Sequence, residues 1–507
     1  MRKIVPILAA VILVCIGLQT YHGYFKEYFS EDEVLSYTLS NSRGSSYFDL
    51  EAGKWYSGGE LFENLYVIPG HEFDWGNTLE KQMLDSHPPF YALALHFLSS
   101  FIPGRFSKWC GLGLNLIFMA LTLLVLFFLI RELLPERPYL AILVCGLVGM
   151  NAGIISLAIF IRMYILLMFF SVLTMWWHIR VIRYESSVAS YAIGALITFG
   201  GIMTHYYFAV LTFYLAVFIC IHFMVEKRIR PVFCYIGTMA AAAAVFFAVW
   251  HKALLRVGSD EVIQDAGLMG RTISARAAKA WDIFLQTNIA LFDGRVKILV
   301  IITAVYAVYL LVRDRDKLKR AFIIEPSLRM IVVVGILFYC TISIITPYPV
   351  MRYTSPVFPF VIFLAVLTLD RVVQDVFRSH VLGLALVALF FLYPELNALR
   401  MGLVDVNRQI IDAESTAHSE DICLFSSDIP PEENVFELRK FDRIFVYNLD
   451  NMDNVPGIEE AEEVVIYVPE DEDQEEYAQR IRALNPELKE MDRLYIAYFS
   501  TCYLMHK

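Results

Sequence analysis

Apolar runs long enough to cross a bilayer, about 17–25 residues each, recur near 4–20, 109–130, 138–157, 162–179, 188–204, 206–224, 232–250, 296–312, 328–346, 354–369 and 380–397. Lipid offers the backbone no hydrogen-bond partner, so runs of this length must fold as helices that satisfy their own N–H and C=O groups. The chain therefore reads as an α-helical polytopic membrane protein of about eleven transmembrane helices. Its composition agrees: 57% of the 507 residues are hydrophobic, against about 45–50% in soluble domains.

Charge divides the chain further. The net charge is −10, but from Arg400 onward about 25 acids face about 10 bases, leaving the first part mildly basic. Residues 1–397 are expected to form the membrane domain, with a first loop over 21–106 carrying surface helices. Residues 398–507 are expected to form a small acidic α/β domain. No basic face suited to nucleic acid is present. Met1-Arg2-Lys3 before Ile4–Leu18, with no small-x-small cleavage site after it, reads as a retained first span starting in the cytoplasm.

The run Phe90–Ile102, bounded by Pro88-Pro89 and Pro103-Gly104, is short for a span and suits a helix lying at the interface. If it does not span, the basic turns at 131–137, 178–183, 226–230, 313–320 and 371–378 all fall on the cytoplasmic side, as the positive-inside rule requires. The first loop, the 251–295 segment and the tail then share the extracytoplasmic face of a plasma-membrane protein. Arg271 to Gln286, with Arg271, Arg276 and Lys279 beside Ile273, Trp281, Ile283 and Phe284, reads as an amphipathic segment on that surface.

In the tail, runs beginning at Asp421, Arg443, Val464 and Leu494 read as strands, and Asp473–Leu484 as a helix with Tyr477, Ile481 and Leu484 on one face. Cys423 and Cys502 fall in or beside strands on a face that permits disulfides, so a bridge is one option. The other six cysteines sit in apolar runs and read as small core residues.

Polar chemistry gathers in the first loop. Asp32 and Glu33 follow the first span; Ser30 with Glu33 matches a capping box, and acids favour a first helical turn. The functional alternative makes Asp32 a general base that accepts a hydroxyl proton. Asp85-Ser86-His87-Pro88-Pro89 is either a helix start or a rigid turn presenting Asp85 and His87. Arg162 and Arg352 stand out because the other basic residues are sent inward; snorkelling explains each, and so does phosphate binding. Lys108 and His205 share the face. No metal motif or P-loop is present. Asp32 and Glu33 could hold a divalent cation near a phosphate, though nothing in the sequence requires one.

These residues, in order, resemble the GT-C superfamily of integral-membrane glycosyltransferases, and within it the bacterial branch related to protein O-mannosyltransferases and aminoarabinose lipid A transferases. The resemblance rests on Asp32-Glu33, Asp85-x-His-Pro-Pro-Phe-Tyr, Phe106-Ser-Lys-Trp, Arg162-Met-Tyr, Thr204-His-Tyr-Tyr and Arg352-Tyr-x-x-Pro, over residues 1–370 or so. It implies a GT-C-like fold and a polyprenyl-phosphate monosaccharide donor. The sugar would pass with inversion to a lipid, polysaccharide or protein acceptor of the envelope. Asp32 would be the base, with Glu33 beside it, and Arg162 and Arg352 would hold the donor phosphate, with Lys108 where the family often has arginine. Asp85, His87, Tyr164, His205 and Tyr353 would contact substrate. The rival reading is a transporter or flippase of lipid-linked sugars, or a non-catalytic envelope subunit; transporters more often carry inverted repeats and polar midplane residues.

Overall fold

The computed structural model describes residues 3–44, 48, 50–83, 85, 87–252, 272–316, 325–398, 422–448, 455–470, 472–497 and 500–507. Every expected span is helical. Among the described residues, eight helices are long and apolar enough to cross a membrane: Ile4–Tyr24, Lys108–Leu133, Tyr164–Arg183, Tyr207–Val225, Ile229–Val249, Val296–Arg313, Pro326–Ile345 and Met351–Phe377. The expected 138–157 span is instead a broken pair, Pro138–Gly149 and Ala152–Ile159, bent by 56°. Val188–Thr204 and the apolar part of the last helix, His380–Phe391, fall short of that length. Phe90–Ser99 has 10 residues, a rise of about 15 Å, half the hydrocarbon thickness, as expected of a helix that does not span.

The chain does not divide at one point near residue 398. One compact unit comprises Met1–Tyr24, His87–Tyr91 and Leu112–Leu399; the other comprises Phe25–Ser86, Ala92–Gly111 and Arg400–Lys507.

In the first unit the break in the bent span has a polar explanation. Asn151 caps Ala152–Ile159 by accepting from the Ile154 N–H at 3.3 Å and donates to the Leu291 carbonyl at 3.2 Å. Gln19, fully buried in the first span, donates to the Gly149 carbonyl at 2.8 Å. A broken helix in lipid exposes carbonyls that must find donors inside the protein, and Gln19 supplies one. Gly149 allows the approach: a Cβ there would lie 2.5 Å from the Cys15 Sγ.

One end of this unit is an ionic belt. Arg137 pairs with Asp370 and Gln374, Arg180 and Tyr184 with Glu132, and Arg183 with Glu325. The basic turns at 131–137, 178–183 and 371–378 are thus gathered together, as the charge alternation requires. Tyr164 and Arg183 are the two ends of one 20-residue helix, about 30 Å apart, which sets Tyr164 at the far end from the belt. Ile273–Phe292 is a helix with Ile273 and Trp281 exposed. Lys279, expected on a basic surface face, is buried instead and donates to the carbonyls of Ile344 and Thr346, the end of Pro326–Ile345, where the helix dipole favours a cation. Arg271 lies outside the described residues.

The second unit is built on a six-stranded sheet: β1 (Trp55–Tyr56), β2 (Ile422–Ser426), β3 (Arg443–Tyr447), β4 (Glu463–Pro469), β5 (Glu490–Ala497) and β6 (Ser500–His506), in the order β1-β3-β2-β4-β6-β5. The three central strands are parallel, β6 and β5 antiparallel. The expected last strand, beginning at Leu494, is the end of β5, and the hairpin partner β6 was not foreseen. Gln474–Leu484 has the expected face, Tyr477 and Ile481 buried and Leu484 packed on the core.

β1 comes from the first loop and pairs antiparallel with β3. The Gly58 N–H then donates to the Phe441 carbonyl at 3.0 Å, in an approach so close that a Cβ would meet the Leu438 carbonyl oxygen at 2.0 Å. An aromatic cluster fills the seam: Phe436 stacks on Phe29 at 4.4 Å and meets Phe62 and Phe106 edge-on at 5.4 and 5.1 Å. The first loop and the tail therefore fold as one body.

Cys423 and Cys502 are both free and buried, which answers the disulfide option. Cys423 aligns with Val465 of β4 and Cys502 with Tyr467, so β4 lies between them. Two strand spacings, about 9.5 Å, exceed the reach of a bridge. Non-reducing and reducing gels are expected to give the same mobility; a shift on reduction would show that the two strands can come together.

Candidate active site

The sequence-derived candidates fall into two groups. His87, Arg162, Tyr164, His205, Arg352 and Tyr353 belong to the first unit; Asp32, Glu33, Asp85 and Lys108 belong to the second.

In the first unit the turn Met351–Val357 is tied down from two sides. Ser171 donates to the Pro356 carbonyl at 2.6 Å, and the Met351 N–H donates to Gln286 at 3.1 Å. This places the Arg352 guanidinium over three rings, 5.1 Å from the centroid of Phe160 and 5.8 Å from those of Tyr164 and Tyr353. Stacking of this kind holds a cation by the ring quadrupoles. Arg162 lies within two residues of both Phe160 and Tyr164 and is 6% exposed. Asn115 secures that bend by donating to the carbonyls of Ala158 and Phe160 at 3.1 and 2.8 Å, while Tyr91 donates to its side-chain oxygen at 3.3 Å.

The histidines join the same cluster. The His205 ring lies 5.3 Å from that of His87 and 6.3 Å from that of Tyr164. Its Nδ1 accepts from the Tyr207 N–H at 3.1 Å, in the short link between Val188–Thr204 and Tyr207–Val225. Tyr207 completes the group, 5.5 Å from Tyr353. The result is two arginines, two histidines and three tyrosines at the end of the helix bundle opposite the ionic belt. Phe160, Asn115 and Tyr207 were not among the sequence candidates. Tyr207 stood within the Thr204-His-Tyr-Tyr signal, whereas Phe160 and Asn115 look like ordinary span residues.

In the second unit Asp32 and Glu33 open the helix Glu31–Asn41, and their side chains differ. Glu33 is buried, paired with Lys26 at 2.9 Å; its Oε2 accepts from the Ser30 N–H at 3.1 Å and the Ser30 hydroxyl at 3.3 Å. Both of its oxygens serve the capping box and the ion pair. Asp32 is half-buried at the second helical position. The Lys26 carbonyl accepts from Lys108, so Lys108 is linked through Lys26 to Glu33. Asp85, 7% exposed, accepts from Gln82 at 2.7 Å. Glu433, from the tail, accepts from the Tyr28 hydroxyl at 2.9 Å. Desolvation pushes its carboxyl above the usual range, and the charges of Glu31 and Asp32 add to this, while the hydrogen bonds from Tyr28 and the Glu31 N–H pull it down. Among the described residues no group of three or more His, Cys, Asp or Glu side chains could hold a metal ion, so the divalent-cation option at Asp32 and Glu33 finds no ligand set there.

No protein-family model matches the chain, and no curated protein matches it by sequence. Solved structures do. The crystal structure of ArnT from Cupriavidus metallidurans in the apo state aligns over 93% of this chain and 96% of that one, with TM-score 0.51 and 13% identity. The same protein bound to undecaprenyl phosphate aligns over 99% and 97%, with TM-score 0.50 and 14% identity. At such identity the likeness is one of fold. ArnT belongs to the GT-C superfamily, and the chain is a multi-pass membrane protein with the GT-C fold that its motif order led one to expect.

Proposed function

We propose that this protein is a GT-C-type glycosyltransferase that moves a monosaccharide from a polyprenyl-phosphate donor to an envelope acceptor on the extracytoplasmic face. The observation that carries the reading is the Arg352 guanidinium laid over Phe160, Tyr164 and Tyr353, with His205 in the same cluster. A cation held by rings at the end of a membrane bundle suits the phosphate of a lipid whose tail stays in the bilayer. The likeness in fold to ArnT solved with undecaprenyl phosphate is in keeping with that donor.

In this reading Arg352 and Arg162 bind the donor phosphate, with Lys108 as a further cation. His87, Tyr164, His205, Tyr353 and Asp85 contact the sugar. Asp32 accepts the proton of the acceptor hydroxyl as its oxygen attacks the anomeric carbon from the face opposite the phosphate. One glycosidic bond forms, the bond from the anomeric carbon to the phosphate oxygen breaks, and configuration inverts. Polyprenyl phosphate leaves as an anion whose charge the arginines stabilise. Glu33 maintains the helix start rather than taking part in proton transfer. The N-terminus then lies in the cytoplasm, and the unit that includes the tail lies outside.

The test is direct. Purified protein in proteoliposomes is incubated with radiolabelled undecaprenyl-phosphate monosaccharides and with lipid, polysaccharide and peptide acceptors. Label transferred to an acceptor supports the enzyme; label that only crosses the bilayer, still on its carrier, supports a flippase and overturns the enzyme. Arg352→Lys keeps the charge but loses the planar fork. It is expected to raise the donor KM about tenfold, and an unchanged donor KM would remove Arg352 from the phosphate site.

A further inference from the structure

Four aromatic side chains of the first loop meet on the surface of the second unit. The Phe73 ring lies 6.2, 5.9 and 5.5 Å from those of Trp75, Phe97 and Phe101. Trp75 stacks on Phe97 at 6.2 Å, and Phe97 meets Phe101 edge-on at 5.1 Å. The four residues are between 39% and 62% exposed. With side chains of this size, about 400 Å² of aromatic surface is left uncovered, more than scattered surface residues account for. The spans expose apolar side chains because lipid covers them, but this patch lies outside the eight helices long enough to cross a membrane.

The patch is held in shape against a backbone preference. Phe73 has a φ of 59°, in the left-handed region that a bulky side chain seldom adopts. Its N–H donates to the Ser100 hydroxyl at 3.0 Å, which ties the turn before Trp75 to the end of the helix Phe90–Ser99. On that helix Tyr91, Ala92 and Leu95 are buried, whereas Phe97 is exposed.

The course of the chain argues for what covers the patch. Tyr91 belongs to the first unit, and Phe97 is about 9 Å farther along the same helix. Beyond Phe101 the chain can extend by at most about 25 Å before Lys108, where the next span starts. Trp109 is exposed on the first turn of that span, with the Lys108 ammonium 6.0 Å from its ring, and tryptophan in such a place settles at headgroup level. Arg105, between the patch and the span, is exposed and suits a lipid phosphate. The neighbouring acids are turned to backbone N–H groups, Glu72 to that of Gly70 at 3.1 Å and Asp74 to that of Asn77 at 3.2 Å. Three phenylalanines and a tryptophan with a basic residue behind them match the interfacial layer of a bilayer.

We propose that Phe73, Trp75, Phe97 and Phe101 are a lipid anchor that enters the interfacial layer of the adjacent leaflet. The anchor is joined to the helix that carries Asp32. Asn41, the last residue of Glu31–Asn41, donates to the Ser99 hydroxyl at 3.2 Å, and Thr78 donates to the Ser40 carbonyl at 2.9 Å. The anchor thereby sets the height of that helix above the bilayer.

Full-length protein is placed in nanodiscs of phosphatidylethanolamine and phosphatidylglycerol without donor, so the outcome does not depend on sugar transfer. The chain has 7 tryptophans, and the emission of Trp75 is taken as the difference between wild type and Trp75→Phe. Lipids brominated near the headgroup should quench it about twofold, and iodide in the aqueous phase should leave it unchanged. Phe97→Asp combined with Phe101→Asp should reverse both results; unchanged lipid quenching in that variant overturns the anchor. Quenching of wild-type Trp75 by iodide and not by brominated lipid overturns it too. So does protection from both quenchers in a dimeric particle, which would mean that a second copy covers the patch. If Trp75→Phe does not fold, Phe101→Trp adds a reporter at an exposed position, and added emission that brominated lipid fails to quench overturns the proposal equally.

Discussion

Asp32→Asn is expected to lower kcat about a thousandfold, within the range that a positioned general base contributes, while leaving the thermal unfolding midpoint and the donor KM unchanged. The amide matches the carboxylate in shape but cannot accept the acceptor's proton. The local fold should survive, because the hydrogen bond that the Ser36 hydroxyl makes at this residue goes to its backbone carbonyl, at 3.0 Å. The capping box uses Ser30 and Glu33, neither of which is touched. Turnover is measured by label transfer and folding by thermal unfolding in the same detergent; full activity in a folded variant would rule out Asp32 as the base.

Lys26→Met should destabilise the protein by about 3–5 kcal/mol. It strands the Glu33 carboxylate, whose side chain is 2% exposed, in a place where Lys26 now faces it at 2.9 Å. A buried charge without its partner keeps its desolvation cost and loses the attraction that offset it. It also loses the ammonium group that sits 5.0 Å from the centre of the Phe29 ring. The second variant decides the cause: Lys26→Met with Glu33→Gln should recover most of the loss, because the neutral amide oxygen still accepts the Ser30 N–H. The same unfolding midpoint in wild type and the single variant would mean that the pair contributes nothing.

How much of this could be read in advance differs between spans and seams. The spans were legible because lipid forces long apolar runs into helices, and the turn charges then ordered them. The bend at Gly149–Asn151 was not, since apolar content runs straight through it. Its only local trace is Asn151, a good cap residue inside an apolar stretch, and its partners Gln19 and Leu291 are far away in sequence. In the tail the short β-rich runs of β2, β3 and β4 and the helical face of Gln474–Leu484 were readable, while the run beginning at Leu494 covers only the end of β5 and left β6 unread. The two-residue β1 carries no periodicity at all. It exists because β3 offers an open edge and Gly58 lets the chain approach.

The candidate site divides in the same way. Arg352 and Arg162 were legible as positive charges retained against the inward bias, and Asp32 through motif order. The distinction between Asp32 and Glu33 was not, because it depends on Lys26, which the chain folds back to meet. Glu433 carries no signal in the sequence, and only tertiary contact with Tyr28 gives it a place.

The pairing of Tyr28 with Glu433 spans 405 residues, which has a consequence for biogenesis. At about 5–20 residues per second, a ribosome needs about 20–80 s after completing Tyr28 to reach its partner. Through that interval the first loop waits without β3 to pair with β1 and without Glu433 to accept from Tyr28. Contacts of such high order form last. The protein is therefore expected to become active only after the whole chain has been synthesised, with the first loop most exposed to proteases and chaperones while translation is still under way.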